Sequence, residues 1–160
     1  MKNTYLRFAA MIATSTTLMF VLMYLNTYAW SHIQFSETRV FMALYMGAMM
    51  TGVMLLFMLS MYTQKGVNAA ILVGAALVFA TSLYLVRSQR TVDDVSWMRA
   101  MIPHHSIAIL TSERAALSDP RVIDLADRII EAQRLEIAEM EALIADLQGG
   151  PAATPEVDGM

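Results

Sequence analysis

Three runs without a charged side chain, Phe8–Trp30, Val40–Tyr62 and Val67–Val86, constrain what this chain can become. The first, 23 residues long, makes a helix of about 35 Å at ~1.5 Å per residue, enough to cross the hydrocarbon of a bilayer. With 57% of the residues hydrophobic and only 16% charged, lipid rather than water is the expected solvent for much of the chain. Lys2 and Arg7 ahead of the first run resemble the start of a signal peptide. Its apolar part exceeds the ~7–15 residues of a signal sequence and no small-residue cleavage site follows, so an uncleaved span is expected. The short link Thr63-Gln-Lys-Gly66 makes the second and third spans antiparallel neighbours. Three crossings put the N-terminus and the C-terminal region on opposite sides. Lys2, Arg7 and Lys65 nearly balance Arg39, Arg87, Arg90 and Arg99 across them. Giving weight to the first span places the N-terminus in the cytoplasm of a multi-pass inner (plasma) membrane protein, with the C-terminal domain extracytoplasmic, on the periplasmic side.

A net charge of −3 with no basic block gives no footprint for nucleic acid. The absence of cysteine removes disulfides, thiolate metal sites and cysteine nucleophiles together. Methionine is abundant, at 15 residues, and its thioether is a soft ligand suited to Cu(I) where a thiol would be oxidised. In the second span Met42, Met46, Met50, Met54 and Met58 form a winding stripe, with Met49 and Met61 nearby. The stripe loosely resembles the Met-x-x-x-Met ladder of copper transporters. The reading that the sequence favours is packing, flexible methionine filling gaps while Gly47 and Gly52 admit a neighbouring helix. His32 and Trp30 fall where polar-tipped rings anchor a span at the interface.

Beyond Arg90 the composition turns charged and amphipathic. Val95, Met98, Ile102, His105, Ile109 and Ala116 recur at the spacing of one helix face. Pro103 is expected to bend or restart this helix just before the two histidines, freeing carbonyls there. Ser118-Asp-Pro-Arg121 is a turn and helix start, with Ser118 or Asp119 as cap and Pro120 in the first turn. The second helix runs to about Leu147, stopped by Gly149-Gly-Pro151. Its expected inner stripe is Val122, Leu125, Ile129, Ala132, Gln133, Glu136, Met140, Leu143 and Leu147. If the turn is centred on Ser118–Asp119, Met98 faces Met140, Met101 faces Glu136, and His105 faces Gln133. His104 lies about 100° to the side of that seam.

The run Met98-Arg-Ala-Met-Ile-Pro-His-His105 is where metal-capable side chains gather outside the apolar segments. The candidate metal ligands are His104, His105, Met101, Met98, Met140 and Glu136, with copper preferred because thioether plus imidazole is a soft donor set. The alternative is a non-catalytic membrane interaction or assembly subunit, in which the same His, Met and Glu residues form a structural polar network. A di-iron carboxylate site is disfavoured because Met101 and Ile102, not Glu, stand three residues before His104 and His105. Ser106 and Ser112 come with no nucleophile elbow or separate acid, so no enzymatic constellation is visible.

Met101-Ile-Pro-His-His-Ser-Ile-Ala-Ile109, Asp119-Pro-Arg-Val, Leu125-Ala and Ile130-Glu-Ala-Gln-Arg-Leu-Glu-Ile-Ala-Glu-Met140 resemble the domain of unknown function 305 (DUF305) family. The resemblance covers roughly residues 92–147. It implies a ferritin-like, all-helical, extracytoplasmic domain, with some members linked to copper binding and tolerance. The motif residues carried over are His104, His105, Met101 and Met140. Many members have a further methionine where this chain has Thr111. The expected architecture is therefore all-α: a membrane anchor at 1–90, a helical hairpin at 91–148, and a disordered tail at 149–160. A hairpin of about 55 residues buries too little core alone. Pairing of two copies into a four-helix bundle is expected, or packing against the spans.

Overall fold

The computed structural model describes residues 2–151. Every regular element in them is helical. In chain order they are α1 (Lys2–Leu22), a 3-10 turn at Trp30–His32, α2 (Glu37–Phe57), α3 (Lys65–Ser88), α4 (Asp94–Arg114) and α5 (Pro120–Leu147). The chain forms two compact units. One holds α1, α2 and α3. The other joins the linker Tyr24–Ser36 to α4 and α5.

In the first unit, three helices are long and apolar enough to cross a membrane, over Thr4–Leu22, Glu37–Phe57 and Lys65–Ser88. α1 starts and stops earlier than the expected 8–30. Hydropathy runs on to Trp30, but the chain leaves the helix where its carbonyls find other partners. Arg39, buried at the start of α2, donates to the Met23 carbonyl. A cation at a helix C-terminus also suits the helix dipole. The Tyr24 carbonyl is taken by the Thr27 hydroxyl at 3.1 Å. α2 ends at Phe57 rather than 62 because bonds from Met61 N–H to the Met58 carbonyl and from Tyr62 N–H to the Leu59 carbonyl tighten its exit into turns. α3 is slightly longer than the expected 67–86 and closes on Gln89, whose N–H still bonds the Leu85 carbonyl and whose left-handed φ of 52° turns the chain out of the helix.

Phe8, Leu55 and Tyr62 form the buried cluster of this unit, with Met54, Met58 and Ile71 packed around it. The five stripe methionines are all half-buried, and Met49 and Met61 are exposed. A Cβ on Gly47 would overlap Thr16 Oγ1, so glycine sets how closely α1 meets α2. Gly52 faces open space, and the expectation that it also admits a helix does not hold.

In the second unit, α4 starts at Asp93, whose carboxylate accepts from Ser96 N–H at 2.7 Å. It then runs through Pro103 without the expected restart. Pro103 is fully enclosed, and burial of its ring offsets the one backbone bond that proline cannot donate. Asp119 caps α5 by accepting from Arg121 N–H at 2.9 Å, and Pro120 opens the helix. Gly149, at φ 82°, turns the chain so that Gly150 N–H bonds the Ala145 carbonyl. The expected disordered tail starts with this turn, and its residues 152–160 lie outside the described residues.

The hairpin core is Met98, Ile102, Ile109, Ile137 and Met140, flanked by Met101, Ile130 and Ile144. On α4 the expected seam is buried at Met98, Ile102 and Ile109, whereas Ala116 lies past the helix and is exposed. On α5 the seam is displaced by one position. Ala126, Ile137 and Met140 are buried and Ile130, Gln133 and Ile144 half-buried, while Val122, Leu125, Ile129, Leu143 and Leu147 face outward. α5 carries two adjacent apolar rows, and the one through Ala126, Ile130, Ile137 and Ile144 meets α4.

Candidate functional site

The hairpin seam brings together several of the expected ligands. Met98 on α4 and Met140 on α5 share the buried core, with Met101 against it. His105, one position to the side, keeps only 14% of its side chain exposed. Its Nδ1 lies 3.1 Å from Glu136 Oε2. The carboxylate is at ion-pair distance but off the ring N–H direction, so Nδ1 has no aligned hydrogen bond. The same Oε2 accepts from Gln133 Nε2 at 3.1 Å. The order along the seam is thus His105, Glu136, Gln133, with Glu136 where the hairpin register had put Gln133. Glu136 is 50% exposed and forms the wet edge of the cluster.

Burial pushes the His105 imidazole below its ordinary range. Glu136 opposes this by attraction, and His104 adds to it by repulsion. The favoured form near neutral pH is the uncharged ring, the one with a lone pair to give. His104 is exposed, as its lateral position on the helix requires, with its ring centroid 6.3 Å from that of His105. Among the described residues no three His, Asp or Glu side chains gather at metal-binding distance. What the seam adds to its nitrogen and oxygen groups is the thioether sulfur of Met98, Met101 and Met140.

A second cluster was not foreseen. Ser106 is completely buried on α4. Its Oγ accepts the Tyr28 N–H at 2.7 Å and lies 2.9 Å from His32 Nδ1. In the Nε2–H tautomer His32 accepts the serine proton, and both lone-pair and proton sides of the hydroxyl are used. Tyr24 OH adds a bond from Ser36 N–H at 3.2 Å, closing the linker on itself. His32 is therefore a partner of the hairpin rather than only an interface ring. The enclosed hydroxyl fastens the linker to α4. Ser106 falls four residues after Ile102 and three before Ile109, so a seam drawn through it rather than through His105 would have marked a buried hydroxyl in need of a partner. Nothing in the sequence said that the partner lay 74 residues away.

These features define a class: an all-helical chain with three helices of membrane-crossing length and a methionine-bearing helical hairpin after them. Residues 84–157 match the family model described as Domain of unknown function (DUF305). An uncharacterized protein of Acanthamoeba polyphaga mimivirus is 33% identical over 103 residues, 62% of this chain and 68% of that protein. The chain belongs to the DUF305 family. The viral alignment is longer than the family match, so the similarity extends beyond it. No solved structure matches the chain.

Proposed function

We propose that this is a membrane-anchored copper-binding protein. Met98, Met101, Met140 and His105 are its donors, His104 contributes from the edge, and Glu136 with Gln133 supplements the site from its wet side. The observation that carries the reading is the shared burial of Met98 and Met140, from two different helices, in a hairpin that also holds an imidazole, His105, that burial keeps neutral. A thioether-rich set with one imidazole favours Cu(I) over zinc, magnesium or calcium. Bound there, copper would be held in a soft, water-poor seam.

The membrane part of the proposal draws support from the contacts themselves. The linker Tyr24–Ser36 and the hairpin are separated in the chain by α2 and α3, and they touch through Ser106. Two crossings return a chain to the side it left, so this contact agrees with both helices spanning. Tyr5 at the start of α1 bonds Gln64 N–H and Asn68 at the start of α3, again across two helices. We assign the hairpin to the extracytoplasmic face of the inner (plasma) membrane, with the exposed row Val122, Leu125, Ile129 and Leu143 as the surface on which two copies pair.

The test is competitive Cu(I) titration of the full chain in detergent, beside a His104→Ala/His105→Ala variant and a Met98→Leu/Met140→Leu variant. Weaker binding in both is expected, and unchanged affinity in both removes copper. One observation favours a second reading, a structural polar network in an assembly subunit: Glu136 already accepts from Gln133 and lies at ion-pair distance from His105. That reading predicts that copper leaves the thermal midpoint unchanged while Glu136→Ala alone lowers it.

A further inference from the structure

The linker between α1 and α2 is folded, yet it leaves its large apolar side chains bare. Leu25, Trp30 and Phe35 are 63%, 81% and 62% exposed, and Tyr28 and Ile33 are 40% and 39% exposed. No Asp, Glu, Lys or Arg occurs from Tyr24 to Ser36. The hairpin with which it forms one unit is the opposite, with eleven carboxylates against five arginines over residues 93–148, a net −6. An uncharged apolar surface and an acidic one therefore belong to the same unit.

Position, hydrogen bonding and size together select what covers the apolar surface. α1 ends at Leu22 and α2 begins at Glu37, both helices of membrane-crossing length. The Tyr24 hydroxyl accepts from Ser36 N–H at 3.2 Å, so the two ends of the linker meet where one apolar helix stops and the next starts. Inside it, the N–H groups of Thr27, His32 and Ile33 bond linker carbonyls, Tyr28 N–H bonds Ser106, and Ser36 N–H bonds Tyr24. Backbone donors met without water lower the cost of entering a lipid boundary. Asn26, Ser31 and Gln34 are polar but neutral, which suits the level of the headgroups rather than the hydrocarbon beneath. Even at ~250 Å² for each large side chain, the exposed fractions of the five add to roughly 700 Å². A standard protein interface takes ~800 Å² from each partner. A second copy or another protein must also offset about 4–15 kcal/mol of lost translational and rotational freedom. Lipid is already at hand for a segment tethered to a span at both ends.

We propose that Tyr24–Ser36 is a membrane-docking surface. Leu25, Trp30 and Phe35 enter the boundary between headgroups and acyl chains, and Ser106, bonded to Tyr28, fastens the hairpin to the docked segment. This goes further than an interfacial place for Trp30 and His32, because His32 turns its Nδ1 inward to Ser106 and the contact with lipid passes to Leu25 and Phe35. The proposal rests on the reading that α1 and α2 cross a bilayer, and it is independent of copper.

The test is tryptophan quenching of the full chain in phospholipid vesicles. Trp97→Phe, a conservative change at a half-exposed site, leaves Trp30 as the sole indole of the chain. The protein itself leaves 81% of Trp30 uncovered, so whatever shields this ring lies outside the chain. Lipid brominated near the glycerol backbone is expected to quench its emission about twofold or more, and lipid brominated near the chain ends less, as a depth of about 5–10 Å requires. Acrylamide in the water should quench it several-fold less than it quenches free tryptophan. Three results overturn the proposal. Ready quenching by acrylamide places the linker in water, quenching by neither agent places it against a protein or a second copy, and strongest quenching by the deep bromine places it in the hydrocarbon. Alkaline carbonate extraction of the same vesicles separates the failures. Protein released to the supernatant defeats the membrane reading as well, whereas protein that sediments with Trp30 open to acrylamide defeats the docking surface alone.

Discussion

Replacing Ser106 by alanine should loosen the linker far more than the loss of one exposed hydroxyl would. The side chain is completely buried and holds two partners, the Tyr28 N–H and the His32 ring. Alanine leaves the Tyr28 amide facing a methyl group, and a buried donor stripped of its acceptor costs about 1–3 kcal/mol. His32→Ala removes only the other side of the hydroxyl. The serine proton can turn to a carbonyl of the preceding helical turn, so the cost is that of one ordinary hydrogen bond, about 0.5–1.5 kcal/mol. In the double variant the histidine has no serine left to lose, and the two effects should fall short of their sum by about 0.5 kcal/mol or more. Hydrogen exchange followed by mass spectrometry reads the local term directly. Exchange at Tyr28 should speed up by about 5–150-fold in Ser106→Ala and less in His32→Ala, while amides in the middle of α2 keep their protection. Equal exchange at Tyr28 in wild type and Ser106→Ala, or strict additivity of the two substitutions, would refute the clamp.

Three further outcomes are expected. Ile109→Ala, in the middle of the hairpin core, should cost about 2–5 kcal/mol in thermal or chemical unfolding, whereas Leu135→Ala, at 64% exposure, should stay within about 0.5 kcal/mol of wild type. Gly47→Leu should separate α1 from α2 and lower the thermal midpoint, because even a Cβ there meets Thr16; Gly52→Ala, into open space, should be neutral or stabilising by up to about 1 kcal/mol from helix propensity. The folded chain resists a proton that the unfolded chain takes up on His105 near the ordinary value of 6.5. The stability contributed by this residue is therefore complete above that pH and declines as pH falls from there toward the lowered folded value. Unfolding midpoints followed from about pH 8 to 5 should fall more steeply for wild type than for His105→Gln, and parallel curves would remove this residue from the pH response.

The all-helical architecture was legible because uncharged runs and seam spacing are strong signals, and the cap at Asp119, one of the two residues expected there, rests on chemistry local to its turn. What escaped is non-local or degenerate. Hydropathy carried the first span to Trp30 because it does not register that Arg39 takes the Met23 carbonyl, nor that Tyr24 and Ser36 fold the linker onto itself. Periodicity offered two neighbouring apolar rows on α5, and only the partner helix decides between Leu125 and Ala126. The hairpin register was also out by three residues, close to one helical turn, at His105, which meets Glu136 rather than Gln133. Spacing placed Met98 and Met140 in one seam because both rows on α5 converge at Met140. It had no means of pairing Ser106 with His32.

The interleaving of Tyr24–Ser36 with α4 bears on biogenesis and on how this protein can be cut. Synthesis delivers His32 74 residues before the serine it joins. At ~5–20 residues per second, the loop waits about 4–15 s for its mate. A recombinant fragment beginning after α3 would carry the serine but neither Tyr28 nor His32, and it would expose a hydroxyl that the intact polypeptide keeps sealed.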